Sequence, residues 1–324
     1  MFAITYKKIF LRIAAALVLG SLGLIIGLGL PLGIDFTGGA LTEVAYGERP
    51  EKGALEENID TLDLGGYSLR ESIDESGRDG FILRTRDLSE EERVAVDQMV
   101  TAAGAEGEIT RFTSIGPVIG EELKDKSVWA IGGVILVIIL YVAFAFRGVS
   151  KPVGSWIYGG ITVLVLAHDV LIPAALMSVL GYVYGAEVDV LFVTAILAVL
   201  GYSVNDTIVV FDRVRENLIK YRTEKKRNVD VGAGVTREEV TYTYLKPFSE
   251  IVGLAVSETI ARSINTSLTT FLALTALYFF GGDVTQTFAL VLMAGVLAGT
   301  YSSICIANPL LVFIAERKQA KESK

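Results

Sequence analysis

Six long apolar stretches constrain this chain more than any other feature of its sequence. A helix needs about 20 apolar residues to cross a hydrocarbon core of about 30 Å. Stretches of that length with few charges occupy residues 13–32, 128–146, 152–184, 190–211, 251–280 and 284–315. The composition agrees, with 52% hydrophobic residues, 20% charged residues and a mean hydropathy of +0.51. The sequence therefore predicts a polytopic α-helical membrane protein with six transmembrane helices.

The same composition excludes several other classes of protein. High hydrophobicity excludes a disordered chain, and a single cysteine, Cys305, excludes a disulfide scaffold. A net charge of −8 without a basic domain argues against nucleic-acid binding. With one histidine, His168, the chain cannot build a His-rich metal site, so we expect no metal. The apolar part of the first stretch is also too long for a signal peptide, so we expect an uncleaved anchor.

The distribution of Lys and Arg predicts the orientation in the membrane. Basic residues concentrate at 147–151, in the loop 213–250 and in the tail 316–324, whereas the loops 185–189 and 281–283 carry only acids. Both termini are therefore predicted to lie in the cytoplasm. The stretch 33–127, with 22 acidic and 10 basic residues, is predicted to lie outside. The expected organisation is a first helix within 1–32, an external (periplasmic) domain at 33–127 and helices two to six within 128–315.

The external stretch has the pattern of an independent α+β domain. Alternating or β-rich segments at 41–46, 67–73, 80–86 and 108–115 predict four strands. Helical patterns occupy 50–61 and 89–103, and the second opens with Ser89 and Glu92 in a capping-box spacing. The order β-α-β-β-α-β predicts a ferredoxin-like domain.

Two charged residues deep in predicted spans are the main candidates for function, because charges in a bilayer are costly and usually functional. Asp206 lies seven residues before Arg213, about 10 Å of helix, so it belongs inside the hydrocarbon. Burial raises the pKa of a carboxylate and a nearby cation lowers it. A carboxylate between those influences can take up and release a proton near neutral pH. Arg262 keeps its charge and needs an acid or water; Asp206 or an acid of a partner chain would serve. The alternative is a static ion pair between two helices.

Further charged and polar residues are secondary candidates. Glu258 lies four residues before Arg262, on the same helix face. Either it neutralises Arg262, or the arginine changes partners as Asp206 changes protonation. His168 could relay protons or link helices by a hydrogen bond. Its neighbour Asp169 is more typical of a supporting acid. Asp169 and Asp206 could also form a protease dyad, but the preceding residues Ser203-Val204-Asn205 lack the Gly-x-Gly pattern of such enzymes.

Four motifs, in order along nearly the whole chain, resemble those of the SecD/SecF family. By them the chain is identified as a member of the bacterial SecF family. The motifs are Gly33-Ile34-Asp35-Phe36-Thr37-Gly38-Gly39 after the first span, Gly201-Tyr202-Ser203-Val204-Asn205-Asp206-Thr207 in the fourth, Ala261-Arg262-Ser263-Ile264-Asn265-Thr266-Ser267 in the fifth, and Thr300-Tyr301-Ser302-Ser303-Ile304 in the sixth.

The resemblance implies an RND-superfamily half that pairs with SecD and assists the SecYEG translocon in the inner membrane. It implies use of the proton gradient to promote outer-side steps in the export of unfolded polypeptides. Asp206 and Arg262 would conduct protons, with Asn205 as a secondary candidate beside Asp206. Asp35, with Gly33, Gly38 and Gly39, would act as a hinge or brace.

Other functions stay open from the sequence. An RND-type exporter of small molecules or lipids would need a larger external cavity than about 90 residues suggest. A passive scaffold would not need buried charges. The chain lacks a Walker loop, so energy coupling would use an ion gradient, H⁺ with Na⁺ as the alternative. We expect no enzyme activity and no cofactor.

Overall fold

The computed structural model describes residues 2–74, 76–147, 153–230 and 236–322. Three sequence features lie outside these residues. They are Glu75 in the turn predicted within the external domain, the predicted loop at 148–151 with the start of the third span at 152, and the last basic residue, Lys324.

Within the described ranges, six helices are long and apolar enough to cross a membrane, as predicted. They are α2 (Lys7–Leu28), α6 (Pro117–Ala145), α7 (Ser155–Tyr184), α8 (Val190–Lys220), α9 (Phe248–Phe280) and a sixth built from α10 (Asp283–Ser302), a π-helical turn (Ser303–Ala307) and α11 (Asn308–Glu322). Several extend beyond the predicted spans. Helix α6 begins at Pro117 rather than at 128, and α8 continues past 211, because apolar composition marks only the part of a helix that lies in lipid. A four-residue helix, α1 (Phe2–Thr5), precedes α2.

Residues 34–115 form the predicted ferredoxin-like sheet. Its elements are α3 (Ile34–Thr37), β1 (Gly39–Ala45), α4 (Lys52–Asp60), β2 (Ser68–Ile73), β3 (Asp79–Thr85), α5 (Glu90–Ala102) and β4 (Glu108–Ile115). The strand order is β2-β3-β1-β4 with antiparallel pairs throughout, as a split βαβ arrangement requires. Alternate side chains of the sheet, among them Val44, Leu69 and Phe81, pack with those of α4 and α5 into one core.

The other face of the sheet lies against the outer ends of the membrane helices. On the predicted cytoplasmic side, the predicted loop 213–250 has regular structure in its described residues, which leave out 231–235. Helix α8 continues to Lys220, and β5 (Arg222–Asp230) pairs with β6 (Thr236–Tyr244) in an antiparallel hairpin. The alternation of Thr and Tyr at 241–244 is typical of such a strand.

The centre of the helical bundle is formed by α7, α8 and the sixth helix. Phe146, Tyr158 and Phe211 are fully buried and pack as aromatic pairs with ring centroids 5.1–6.0 Å apart. Helix α9 packs beside α8 and α10 with one face and exposes the other. This arrangement places the polar residues of four helices against one another in the middle of the bundle.

Candidate functional site

Asp206 is buried in the bundle, and its carboxylate is held by two serine hydroxyls. Its side chain is only 8% exposed. Ser263 of α9 donates a hydrogen bond to Oδ1 at 2.7 Å, and Ser303 of the π-helical turn donates to Oδ2 at 2.7 Å. Asp206 therefore lies inside the helical bundle, and its hydrogen-bond partners are serines rather than the predicted arginine.

Asp169 forms a second buried carboxylate site close by. It is fully buried on α7. His168 Nδ1 lies 2.8 Å from its Oδ1, and Oδ2 accepts hydrogen bonds from Ser203 of α8 and from Ser302 of α10, the latter at 2.7 Å. Asp169 thus links three helices, which agrees with the expected supporting role and leaves a chemical role open.

The π-helical turn joins the two carboxylates. Ser302 contacts Asp169 and the adjacent Ser303 contacts Asp206. A π-turn interrupts the regular hydrogen bonds of a helix and often occurs at functional sites. Here the carbonyl of Ser303 accepts a hydrogen bond from Asn308 Nδ2 at 2.7 Å. We refer to His168, Asp169, Ser203, Asp206, Ser263, Ser302 and Ser303 together as the aspartate cluster.

Arg262 does not contact Asp206 within the described residues. The packing of α9 explains why the two side chains do not meet. Ser263 faces Asp206, and Arg262, one residue earlier on the helix, points about 100° away. Arg262 is exposed on the surface of the helical bundle, facing away from its interior. Asn265 and Thr266 are also exposed on α9, and Asn205 is exposed on the neighbouring α8. These four residues, here called the polar face, lie on helices that are long and apolar enough to cross a membrane.

Glu258 does not neutralise Arg262 in the structure. Asn217 of α8 donates a hydrogen bond to Glu258 Oε2 at 3.1 Å, and Arg213 Nε lies 3.7 Å from the same atom. Spacing of four residues placed Glu258 and Arg262 on similar sides of α9, but the glutamate turns toward the end of α8 that leads into β5. The alternative of a pair between these two residues is therefore wrong for this conformation.

Asp35 binds the outer end of the helix that carries Asp206. Its Oδ2 accepts a hydrogen bond from the backbone N–H of Val190, the first residue of α8, at 2.9 Å. Asp189 caps the same helix through the N–H of Phe192 at 2.7 Å. Burial raises the pKa of Asp189, and the charge of Asp35 adds to this effect, while the hydrogen bond from Phe192 opposes it.

The three glycines around Asp35 allow close backbone contacts. The N–H of Gly33 donates to the Val188 carbonyl at 2.8 Å. Gly38 has a φ of +72°, and a Cβ there would lie 2.7 Å from the Pro117 backbone. Gly39 has a φ of +128°, and its Cβ would lie 2.5 Å from a β3 carbonyl. The motif therefore fastens the sheet domain to α6 and to the segment before α8, where sequence reasoning placed a hinge or brace.

Arg84 makes a further contact between the sheet domain and the membrane helices. From β3 it forms an ion pair with Glu187 at 2.7 Å, and it donates to the Leu32 carbonyl at 3.1 Å and to Thr37 Oγ1 at 2.6 Å. We call these four residues the outer contact. Arg70 of β2 also donates to a backbone carbonyl in the loop before α8.

A cavity of about 450 Å³ lies beside the outer contact, between the sheet and the outer ends of the helices. Its walls combine apolar and charged side chains from both parts of the chain. Among the described residues, no group of three His, Cys, Asp or Glu side chains is arranged to hold a metal ion.

Family models and relatives agree with these features. The model described as "Protein export membrane protein SecD/SecF, C-terminal" matches residues 95–233 and 234–317, and the "SecD/SecF GG Motif" matches 23–47. A SecF protein translocase subunit from Thermobaculum terrenum is 35% identical over 88% of this chain and 84% of its own length. The chain belongs to the SecF family of protein translocase subunits. The SecF of Sebaldella termitidis is 33% identical over 98% of the chain and 93% of its own length.

Solved structures of SecDF share the fold. A crystal structure of SecDF from Thermus thermophilus, a translocon-associated membrane protein, covers 97% of this chain with a TM-score of 0.77 and 29% identity. SecDF in its super-membrane-facing form covers 99% with a TM-score of 0.62 and 30% identity. This SecF-family chain spans 38% and 39% of those longer chains.

Sequence reasoning missed the four serines of the aspartate cluster and the outer contact. Each serine lies within or beside one of the four motifs. Its place in a motif was therefore the one feature of the sequence that could have pointed to these serines as site residues. For Arg84 and Glu187, which are 103 positions apart, no local pattern indicates a contact.

Proposed function

We propose that this SecF-family chain uses the proton gradient, together with SecD, to promote outer-side steps of protein export. The single observation that carries the proposal is a carboxylate, Asp206, buried among serine hydroxyls in the middle of a membrane bundle. A group in that position is expensive to keep charged and usually belongs to an ion path. The exported unfolded polypeptide and the SecYEG translocon are the remaining proposed partners.

Two serine hydroxyls solvate the charged form of Asp206 without a permanent cation. Hydrogen bonds to charged groups contribute roughly 1.5–3 kcal/mol each, enough to offset part of the cost of burying the carboxylate. When a proton neutralises Asp206, that contribution falls, and the hold of Asp206 on α9 and on the π-helical turn weakens. Proton binding thus changes the energy of a particular helix contact, as a population shift requires.

The membrane potential supplies an adequate bias for such a change. One charge that crosses 100 mV gains about 2.3 kcal/mol, which favours one of two states by roughly 50-fold. Helix α8 then connects the site to the outside, since Asp206 lies about 24 Å along the helix from Val190. There Asp35 and the segment 31–33 bind the helix end. A movement of α8 would therefore reach the sheet domain directly.

The polar face supports SecD as the partner. Arg262, Asn265 and Thr266 are exposed on α9 and Asn205 on α8, at a depth where lipid cannot satisfy them. A second membrane subunit with acidic or polar groups would cover this surface. The longer SecDF relative of Thermus thermophilus, of which this chain matches 38%, carries additional sequence in the same polypeptide.

The orientation follows from the positive-inside rule. The hairpin region and the tail carry most of the basic residues of the helical part, which places them in the cytoplasm. The sheet domain is then periplasmic, where it can bind an emerging chain and release it as α8 moves.

Asp206→Asn tests the proposal in inverted membrane vesicles. The variant should assemble normally but lose the part of preprotein translocation that depends on the proton gradient. Asp212→Asn is the matched control, because Asp212 is an exposed acid on the same helix, paired with Arg215 at 3.6 Å. Wild-type gradient dependence in the Asp206 variant would refute the proton role.

A further inference from the structure

Asp169 is more deeply buried than Asp206, and the proposed function gives it no task. We propose that Asp169 with His168 is a second proton-binding site, and that Ser302 and Ser303 couple its protonation to that of Asp206. This inference rests on the proposed function, because it adds a second site to the same proton path.

The charge balance of the pair is the first argument. With Asp169 ionised and His168 neutral, the pair carries a net negative charge with 0% and 2% of the side chains exposed. An unpaired charge in such surroundings is strongly unfavourable. With one further proton, on either residue, the pair is neutral overall. Burial therefore favours a state in which the pair holds one exchangeable proton.

Unpartnered polar atoms are the second argument. His168 Nε2 and Thr207 Oγ1 are buried, and neither has a hydrogen-bond partner within the described residues. Buried polar groups normally have one. The open position on Nε2 is where a water molecule or an incoming proton would bind. Thr207 follows Asp206 directly, so open positions occur beside both carboxylates.

The serine geometry provides the coupling. Ser302 Oγ lies 2.7 Å from Asp169 Oδ2 and 3.1 Å from the carbonyl of Gly299. Ser303 Oγ lies 2.7 Å from Asp206 Oδ2 and 3.1 Å from the carbonyl of Thr300. Each hydroxyl has one proton and two acceptors within reach, so its direction depends on the charge of the carboxylate.

The step takes a hydronium ion as its proton donor and balances without a further reactant. One O–H bond of the hydronium ion breaks, an O–H bond forms on the carboxylate oxygen, and water is released. The new acid donates to the serine oxygen, and the serine hydroxyl rotates to donate to its own helix carbonyl, with no bond broken. Ser302 ends α10 and Ser303 begins the irregular π-helical turn. Because the two residues are adjacent, rotation and backbone adjustment at one of them alter the other.

The surrounding titratable groups leave this exchange to the two aspartates and the histidine. On α10, the Tyr301 ring packs on His168 with centroids 5.9 Å apart, and its hydroxyl donates to the Phe10 carbonyl of α2. Cys305 lies beside Tyr301 on the π-helical turn. From α9, Arg262 adjoins Ser263 but is exposed on the outer side. From α8, Asp206 is the charged group that faces the cluster.

Infrared difference spectroscopy on the complex with SecD, in lipid bilayers at acidic and alkaline pH, tests the inference. A protonated carboxylic acid gives a carbonyl band that disappears on ionisation. Asp206→Asn should keep one pH-dependent band that is absent from the Asp169→Asn/Asp206→Asn double variant. Spectra of the single and double variants that are identical in both the carboxylic-acid and the imidazole bands would show that neither Asp169 nor His168 takes up the proton, and would overturn the inference.

A less disruptive variant keeps the inference testable if the double variant does not fold. In the Asp206→Asn background, Ser302→Ala removes one hydrogen bond to Asp169, so the band should shift in frequency and its pH midpoint should change by roughly tenfold in proton concentration. Ser302→Thr should restore both values. A band that is unaffected by Ser302→Ala would contradict the assignment. Failure of the proposed function would be seen separately, as normal gradient-dependent export by Asp206→Asn.

Discussion

The outer contact should determine how firmly the sheet domain is held on the membrane helices. Arg84→Met keeps the apolar stem of the side chain and removes all three hydrogen bonds. Glu187→Gln keeps the shape of its partner and removes the charge. We expect both variants to populate a state in which the sheet domain has moved away from the outer helix ends, with the larger effect for Arg84→Met.

The magnitude follows from the geometry of the contact. The Arg84 and Glu187 side chains are 23% and 22% exposed, so their ion pair at 2.7 Å is stronger than a fully exposed pair but still screened. An exposed pair contributes about 0.2–1 kcal/mol, and hydrogen bonds to charged groups about 1.5–3 kcal/mol. The bond to Thr37 lies within the sheet domain and does not hold it on the helices. With the Leu32 contact included, we expect a loss of about 2–3 kcal/mol, which is roughly a 30- to 140-fold change in the docking equilibrium.

Double electron–electron resonance between two spin labels can measure this change. Asn58 on α4 and Tyr182 at the outer end of α7 are both exposed and suit labelling. In the parent protein we expect one dominant distance, and in Arg84→Met a second, longer distance. A double variant that exchanges the charges, Arg84→Glu with Glu187→Arg, should recover part of the original distribution.

The matched control is Arg93→Met in the same domain. Arg93 forms ion pairs with Glu90 and with Asp97 within α5, the latter at 2.8 Å, and contacts no membrane helix through them. It should leave the distance distribution unchanged. If Arg84→Met gave the parent distribution, or if Arg93→Met broadened it equally, the reasoning that the outer contact holds the domain would be refuted.

Four further predictions concern other parts of the chain. Gly38→Ala should lower the midpoint of thermal unfolding through a cost of about 1–3 kcal/mol, because φ is +72° there and the Cβ would meet the α6 backbone; an unchanged midpoint would contradict this. Ser89→Ala should destabilise α5 by about 1 kcal/mol in hydrogen exchange, since it removes the observed capping box. An arginine partner is the main cause that lowers the pKa of Glu92 in that box to about 2. The ionised Glu92 therefore stabilises the folded protein fully above its unfolded pKa of about 4.3, and this contribution is lost as the pH falls through about 2. Glu92→Gln should remove this pH dependence of stability. Asn205→Cys on the polar face should cross-link to SecD, and Leu136→Cys on the exposed side of α6 should not; the reverse pattern would place the partner elsewhere.

The sequence predicted those parts of the structure that depend on local patterns. Long apolar stretches and period-two alternation correctly indicated six helices and the β-α-β-β-α-β order, because burial in lipid or on one sheet face leaves a periodic record. The capping box at Ser89 was predicted from four residues and is observed. The ends of the helices were less predictable, since α6 continues into water with charged residues from Pro117.

Contacts between helices could not be predicted in the same way. The sequence placed Asp206 and Arg262 at depth but did not give the rotation of α9 about its axis. Ser263 faces Asp206, and a rotation of one residue sends the arginine to the outside. Glu258 shows the same limit, because its spacing suited a pair with Arg262 while α8 offered Asn217 at 3.1 Å.

The exposed arginine of α9 has a consequence for biosynthesis. A newly made chain that reaches the bilayer before its partner would present a guanidinium to acyl chains, at a cost of several kcal/mol or a local thinning of the lipid. Such an orphan subunit is a poor long-lived species and a natural target for membrane proteases. Synthesis of the two subunits in equal amounts is therefore favoured, because each new chain then finds its partner quickly.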